Sequence, residues 1–281
     1  MMIPRAVVCA ERIAEILDTR STMTIPAGVT EMPSRGELEF RNVTFGYPGA
    51  EVPVIEGLNF TARPGTTTAI IGSTGAGKST IVNLIPRLID PQDGEILIDG
   101  TPVTEFNRHQ LAKLIGLVPQ KPYLFSGTIA SNLRFGNDDA TDDELWEALR
   151  IAQADDFVAE KEDQLDERVA QGGTNYSGGQ RQRLCIARAL TVKPQIYVFD
   201  DSFSALDVAT DARLRAALDE STGEATVIVV AQRVSTIRDA DQIIVLEAGK
   251  IVGRGTHEEL AEANPTYREI IESQLTTEEV N

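Results

Sequence analysis

The sequence predicts an α/β fold: a parallel core sheet flanked by helices, an antiparallel β subdomain near the N-terminus and an α-helical subdomain in the middle of the chain. Three observations predict it. A β-rich run at 66–71 enters the stretch Gly72-Ser73-Thr74-Gly75-Ala76-Gly77-Lys78-Ser79, and residues 80–88 then carry apolar side chains at helical spacing. The later runs 196–199, 226–230 and 243–246 are short, apolar and β-branched, as buried parallel strands are. Between these halves, 129–189 reads mostly as helix.

Taken in order, residues 5–18 set Ala6, Cys9, Ala10, Ile13, Ile16 and Leu17 at helical spacing, and 20–36 follow with Thr, Pro, Gly and Ser, so a helix and then a linker are expected. From Glu37 the period changes to two, with Leu38, Phe40, Val43 and Phe45 apolar, and a second strand pattern covers 54–61; together they predict an antiparallel flap. The acidic clusters at 138–147 and 155–167 read as solvated helix faces, and Trp146 as packing among them. His109 and His257 read as surface or structural residues.

Composition narrows the function. With 281 residues and 42% hydrophobic content the chain can bury a large core. Its formal charge of −17 opposes binding to a nucleic-acid backbone or to anionic lipid, so no nucleic-acid partner is expected and any phosphate site must be local. Cys9 and Cys185 have neither metal-knuckle spacing nor the density of a disulfide framework, which fits a reducing compartment. No apolar stretch is long enough for a membrane span, and the N-terminus lacks the pattern of a signal peptide. A membrane role would come from a partner or another segment.

The motif G-x-x-x-x-G-K-S at 72–79 has a mechanical reason for each fixed position. Glycines let backbone N–H groups close around phosphate oxygens, and the helix that follows offers its positive end. Lys78 supplies a mobile cation to the β- and γ-phosphates, and the Ser79 hydroxyl can join the shell of a Mg²⁺ ion. Thr80 follows at the start of the helix. A second anchor is Ile196-Tyr197-Val198-Phe199, a buried strand that would deliver Asp200 and Asp201 to the sheet edge beside the loop, with Asp200 on the metal side. These residues predict a P-loop NTPase (RecA-like) core.

The segment Asn175-Tyr176-Ser177-Gly178-Gly179-Gln180-Arg181-Gln182-Arg183 closely resembles the signature of ATP-binding cassette (ABC) ATPases. Its physics is again a phosphate grip, a serine and two glycines ahead of a helix. The resemblance covers nearly the whole chain from Glu37 onward and implies further roles. Tyr47 resembles the aromatic that stacks on adenine, Gln120 the glutamine that bridges Mg²⁺ and the membrane-domain contact, and Asp207 in Ser204-Ala205-Leu206-Asp207 part of the loop that crosses the dimer interface. In such proteins two domains face each other head to tail, each ATP lying between one chain's P-loop and the other's Tyr176-Ser177-Gly178-Gly179-Gln180 segment.

Tyr123 to Ile129, Gly255 to Leu260 and the first helix resemble the exporter subclass. That implies residues 1–35 as helix and linker from a transmembrane domain absent here, 36–275 as the ATPase domain (core 36–119 and 190–260, helical subdomain about 120–189), and 276–281 as a tail, at the cytoplasmic face of the cell membrane.

Two departures bear on catalysis. Where active relatives place Glu after the metal-side Asp, this chain has Asp201, one methylene shorter; where they place His beyond a later core strand, it has Gln232, which carries no positive charge. Acid–base positioning contributes about 10²- to 10⁴-fold in rate. With Lys78, Asp201 and Gln232 as the catalytic set, the pattern resembles the degenerate half of a heterodimeric exporter, whose own site holds Mg-ATP but turns it over slowly. A third difference, Gln171 just before the signature where exporters have Glu, carries no assigned role. A fully active homodimeric exporter ATPase, a non-transport ABC ATPase and a regulatory ATP clamp remain the alternative readings.

Overall fold

The computed structural model describes residues 2–19 and 23–278. The chain begins with α1 (Met2–Asp18), whose Val7, Val8, Ile13, Ile16 and Leu17 are exposed. No helix among the described residues is long and apolar enough to cross a membrane.

Strands β1 (Leu38–Phe45) and β2 (Ile55–Ala62) pair antiparallel as expected. The other edge of β1 is taken by β4 (Asp93–Ile98), which pairs in turn with the short β5 (Thr101–Pro102). Between them in sequence lie β3 (Thr67–Gly72) and α2 (Lys78–Leu84), the strand and helix of the glycine motif. The helix stops at Leu84, short of the expected 88. Pro86 has no N–H to continue the ladder, and Arg87 turns left-handed at φ 55°.

Next come α3 (Arg108–Leu114), β6 (Ile115–Val118), β7 (Gly127–Thr128), α4 (Ile129–Leu133), α5 (Asp142–Ile151), α6 (Asp155–Ala159), β8 (Arg168–Val169) and α7 (Gly178–Val192). This is the predominantly helical middle. The last third holds β9 (Ile196–Asp200), α8 (Val208–Ser221), β10 (Thr226–Val230), β11 (Gln242–Glu247), β12 (Lys250–Gly255), α9 (His257–Ala263) and α10 (Pro265–Glu278).

The central sheet runs β12-β11-β3-β10-β9-β6, parallel from β11 to β6, with β12 antiparallel at one edge. Side chains alternate across it. Ile70, Val198, Ile228 and Ile244 face one apolar cluster shared with the antiparallel sheet, while Ala69, Ile71, Phe199, Val229 and Val245 face a second shared with α4, α5, α7 and α8. Burial on both faces is what makes these strands continuous apolar runs. Trp146 packs against the second cluster.

The segment expected as a linker is strapped to the core over its described part. Asp99 accepts from the backbone N–H of Arg35, Gly36 and Glu37, Gln110 bonds both ways to Val29, and Gln195 donates to the Pro33 carbonyl (2.7 Å). Both cysteines are free, Cys185 buried and Cys9 exposed. His257 Nδ1 lies 3.0 Å from the hydroxyl of the fully buried Tyr267, and His109 is exposed, so neither histidine lies in the cleft described next.

Candidate nucleotide-binding site

Four loops leave the carboxyl ends of neighbouring parallel strands. The glycine loop follows β3, Gln120 follows β6, Asp201 follows β9 and Gln232 follows β10, at the sheet edge where open α/β folds collect ligands. They line one cleft of about 290 Å³ that contains Thr74, Gly75, Gly77, Lys78, Ser79 and Thr80 on one side and Gln120, Asp200, Asp201 and Gln232 on the other. Sequence positions as far apart as 78 and 232 are thereby brought together.

Gly77 shows why the loop needs glycine. It caps α2 at φ 104°, and a Cβ there would stand 2.7 Å from Ile55 Cγ2 and 3.2 Å from the Val54 carbonyl. It provides no side chain to cap the helix, so the first N–H groups of α2 are not consumed by a side-chain oxygen. Lys78 folds its ammonium back onto the loop, donating to the carbonyls of Gly72 (2.6 Å) and Ser73 (2.9 Å). Ala76 is buried and Ser73 exposed; neither they nor Gly72 line the cleft.

Charge in the cleft is mixed. Burial pushes the Lys78 ammonium below the ordinary lysine range, opposed by Asp201 and Asp200. Burial also raises the Asp200 carboxyl; neighbouring Asp201 raises it further and Lys78 opposes the shift.

Asp201 stands at φ 47°, a left-handed conformation that Asp tolerates better than most residues. Its N–H donates to the Val230 carbonyl (2.8 Å). Its Oδ2 accepts from both Gln120 Nε2 (3.1 Å) and Gln232 Nε2 (2.9 Å). One carboxylate oxygen therefore ties the loop after β6 to the loop after β10.

The donor set suits a triphosphate with Mg²⁺. The Ser79 hydroxyl, the Asp200 carboxylate and the Gln120 amide oxygen are hard oxygen ligands on one cleft, and a Cβ at Gly75 would meet nothing within 4 Å, so a phosphate can approach that backbone. Held by these residues, Mg²⁺ would supply positive charge against the β- and γ-phosphates.

The signature residues lie elsewhere. Ser177 caps α7 in a closed box, its side chain accepting from Gln180 N–H (3.2 Å) while Gln180 Oε1 accepts from Ser177 N–H (3.0 Å). A Cβ at Gly178 would face open space, and one at Gly179 would lie 3.3 Å from the Ala205 carbonyl, so the loop that ends in Asp207 packs on the signature of its own chain. Asp207 caps α8 by accepting from Thr210 N–H (3.0 Å), which holds its carboxyl below the usual range. Tyr176 is only 4% exposed, with its ring turned toward Phe157, and burial pushes its hydroxyl up to about 12. None of Tyr176, Ser177, Gly178, Gly179, Gln180 or Asp207 lines the P-loop cleft.

Tyr47 stands 46% exposed with its ring edge-on to Phe45 at 5.0 Å, in the turn between β1 and β2 and outside the cleft lining. Val54, bonded to the Phe45 carbonyl (2.8 Å), carries that turn to the cleft wall. Val54 and Val230 in the wall escaped sequence reasoning because nothing local distinguishes them from core valines. Gln274 of α10 also escaped it; its amide bonds the backbone of the Gln232 loop at two points.

Residues 55–204 match the family model described as ABC transporter. An uncharacterized ABC transporter ATP-binding protein of Mycobacterium tuberculosis is 54% identical over 283 residues, covering 97% of this chain and 47% of that protein. A Bacillus subtilis protein of the same description is 41% identical over 98% of this chain and 48% of its own length. The beta-(1→2)glucan export ATP-binding/permease protein of Rhizobium etli is 40% identical over 91% of this chain and 44% of its own length. The chain thus spans about half the length of the curated relatives it matches. Among solved structures, a bacterial Atm1-family ABC exporter with ATP bound superposes with a TM-score of 0.88 at 34% identity, over 97% of this chain and 48% of that one. A P-loop at the edge of a parallel sheet, a serine-glycine signature on a separate helix and these likenesses lead to one conclusion: the chain belongs to the ABC transporter family, as a nucleotide-binding domain of the exporter type, a class that uses ATP with Mg²⁺.

Proposed function

We propose that this chain is the ATP-binding half of an ABC exporter unit that pairs with a second, different half-transporter, closes around Mg-ATP to drive transport, and has a slow P-loop site of its own. Gly72 to Thr80 and Tyr47 hold the nucleotide; Ser79, Gln120 and Asp200 hold its Mg²⁺; Tyr176 to Gln180 with Asp207 complete the partner's site. Residues 36–275 form the working domain, at the cytoplasmic face of the membrane. The twofold greater length of the relatives supports a transmembrane domain alongside it.

The observation that carries the slow site is the Asp201 bracket. Its Oδ2 takes two amide hydrogen bonds, so both accepting positions of that oxygen are engaged by the protein itself rather than free for an attacking water. The side chain is also one methylene short of the Glu of active relatives, and a base must come within about 3 Å of the attacking water. Gln232 can donate to a γ-phosphate but brings no charge.

The test is steady-state ATP hydrolysis by the chain and by the double variant Asp201→Glu with Gln232→His. Wild type should be slow and the double variant about 10²-fold faster. Wild-type turnover at the rate of an ordinary ABC ATPase overturns the slow site. It would favour the fully active homodimer instead, a reading supported by the presence of both an intact P-loop and an intact signature in one chain.

A further inference from the structure

The loop that carries Gln232 is anchored at its ends by the buried Ala231 and Ile237, while Gln232 and Arg233 between them are exposed. After β10 the chain makes a single turn at 234–236 that opens without a side-chain cap, and Gln232 itself is exposed. Two side chains grip the loop. Arg215 donates to the Thr236 carbonyl at its far end. At its near end Gln274 makes a two-point contact: Nε2 donates to the Gln232 carbonyl (2.7 Å) and Oε1 accepts from Val234 N–H (2.9 Å).

Gln274 is well placed to act as a clamp because its own helix is anchored. Tyr267 is fully buried, its N–H donates to Asn264 Oδ1 (2.8 Å) and its hydroxyl meets His257. Residue 274 lies seven positions on, two helical turns along the same face of α10, with Ile270 and Ile271 packed against the core between them. The amide is therefore presented to the loop from a fixed helix.

We infer that Gln274 is a positioning residue: it fixes the two peptide groups that flank Arg233 so that the Gln232 amide points at Asp201 and at the γ-phosphate. This rests on the proposed reading of Gln232. In this structure Gln232 donates to Asp201 Oδ2, so the chain of contacts runs from α10 through the loop to the end of β9. The two contacts at Gln274 are backbone contacts, which a change at residue 232 leaves in place.

The experiment compares Mg-ATP and Mg-ADP affinity of the whole chain carrying Gln274→Met, alone and together with Gln232→Ala. Met keeps the length and helix propensity of Gln and removes both hydrogen bonds. A positioning role predicts that Gln274→Met weakens Mg-ATP about 5-fold, leaves Mg-ADP unchanged, and adds nothing further once Gln232 is Ala. Equal losses for ATP and ADP, or an undiminished loss in the Gln232→Ala background, overturn it and leave Gln274 as a stabiliser of α10. Amide hydrogen exchange at Val234 in the nucleotide-free chain separates the clamp from the nucleotide reading. It should quicken about 10-fold in Gln274→Met, and an unchanged rate overturns the clamp even if the wild-type chain binds no nucleotide, a result that would instead strike the reading of the cleft.

Discussion

At Gly72 to Thr80 the chain enters α2 through a left-handed glycine with no side-chain cap, whereas at Ser177 to Gln180 it enters α7 through a closed capping box. Both are glycine-containing loops ahead of a helix, yet their donors stand in opposite states. In the P-loop the leading N–H groups are not consumed by a cap, and a lysine and two aspartates stand around them. In the signature, Ser177 and Gln180 have spent a donor and an acceptor each on one another, and the exposed Gly178 faces open space. A capping box contributes about 0.5–2 kcal/mol to its helix without any ligand. The P-loop is thus a charged site suited to phosphate, while the signature is a helix end already closed by its own side chains. This asymmetry fits the proposed sandwich of two chains.

The comparison breaks most readily at Lys78. Lys78→Met should cost about 10²-fold in Mg-ATP affinity, since hydrogen bonds to charged groups are the strong ones; calorimetric titration checks it, and a loss under about 3-fold would mean the two grips do not differ in charge dependence. Ser177→Ala sharpens the contrast. At high dilution its Mg-ATP affinity should equal wild type, while ATP-driven association of two chains, followed by sedimentation, weakens about 10-fold. Equal effects on both measurements would place the signature in its own chain's site.

The smallest expected effect concerns the support of the signature helix. Lys193, the left-handed C-cap of α7, donates to Glu144 on α5 (2.7 Å), and that bond, with the Thr141 N–H, pulls the exposed Glu144 carboxyl down to about 2. A depressed carboxylate contributes stability at pH values above its ordinary pKa and loses it as pH falls toward the folded value. Between roughly pH 4.5 and 2, acid should therefore loosen the helical subdomain, and Glu144→Gln should flatten that slope while leaving ATP binding untouched. Trp146 is the sole tryptophan of the chain and lies on α5, so its fluorescence reports on this half.

Both glycine-containing helix starts were legible in the sequence because such a loop is contiguous: glycines, a hydroxyl and a helix start must follow one another within a few residues, whatever the rest of the fold does. The buried strands β3, β9, β10 and β11 were legible for a similar reason, since burial on both faces leaves an uninterrupted apolar run. Other elements carried weaker marks. β6 is four residues long and closed by Pro119, β12 lies at the sheet edge with alternating exposed positions, and neither reads as a strand in advance. The expected linker at 20–36 is held over its described part by Asp99, Gln110 and Gln195, polar residues whose partners lie 63 to 162 positions away.

By itself the sequence determined which local pieces could hold phosphate, which strands would be buried, and that the residue after Asp200 is an aspartate and the later candidate, Gln232, uncharged. Only the tertiary structure decided what those residues touch. Gln120 and Gln232 reach the same oxygen of Asp201 from 81 and 31 positions away, because the order β10-β9-β6 places three strand ends side by side. Gln274 reaches the Gln232 loop from α10, whose Ile270 and Ile271 pack against the core. Hydrogen bonds have a reach of about 3 Å, so long-range contacts exist only once buried strands have stacked their ends at a common edge.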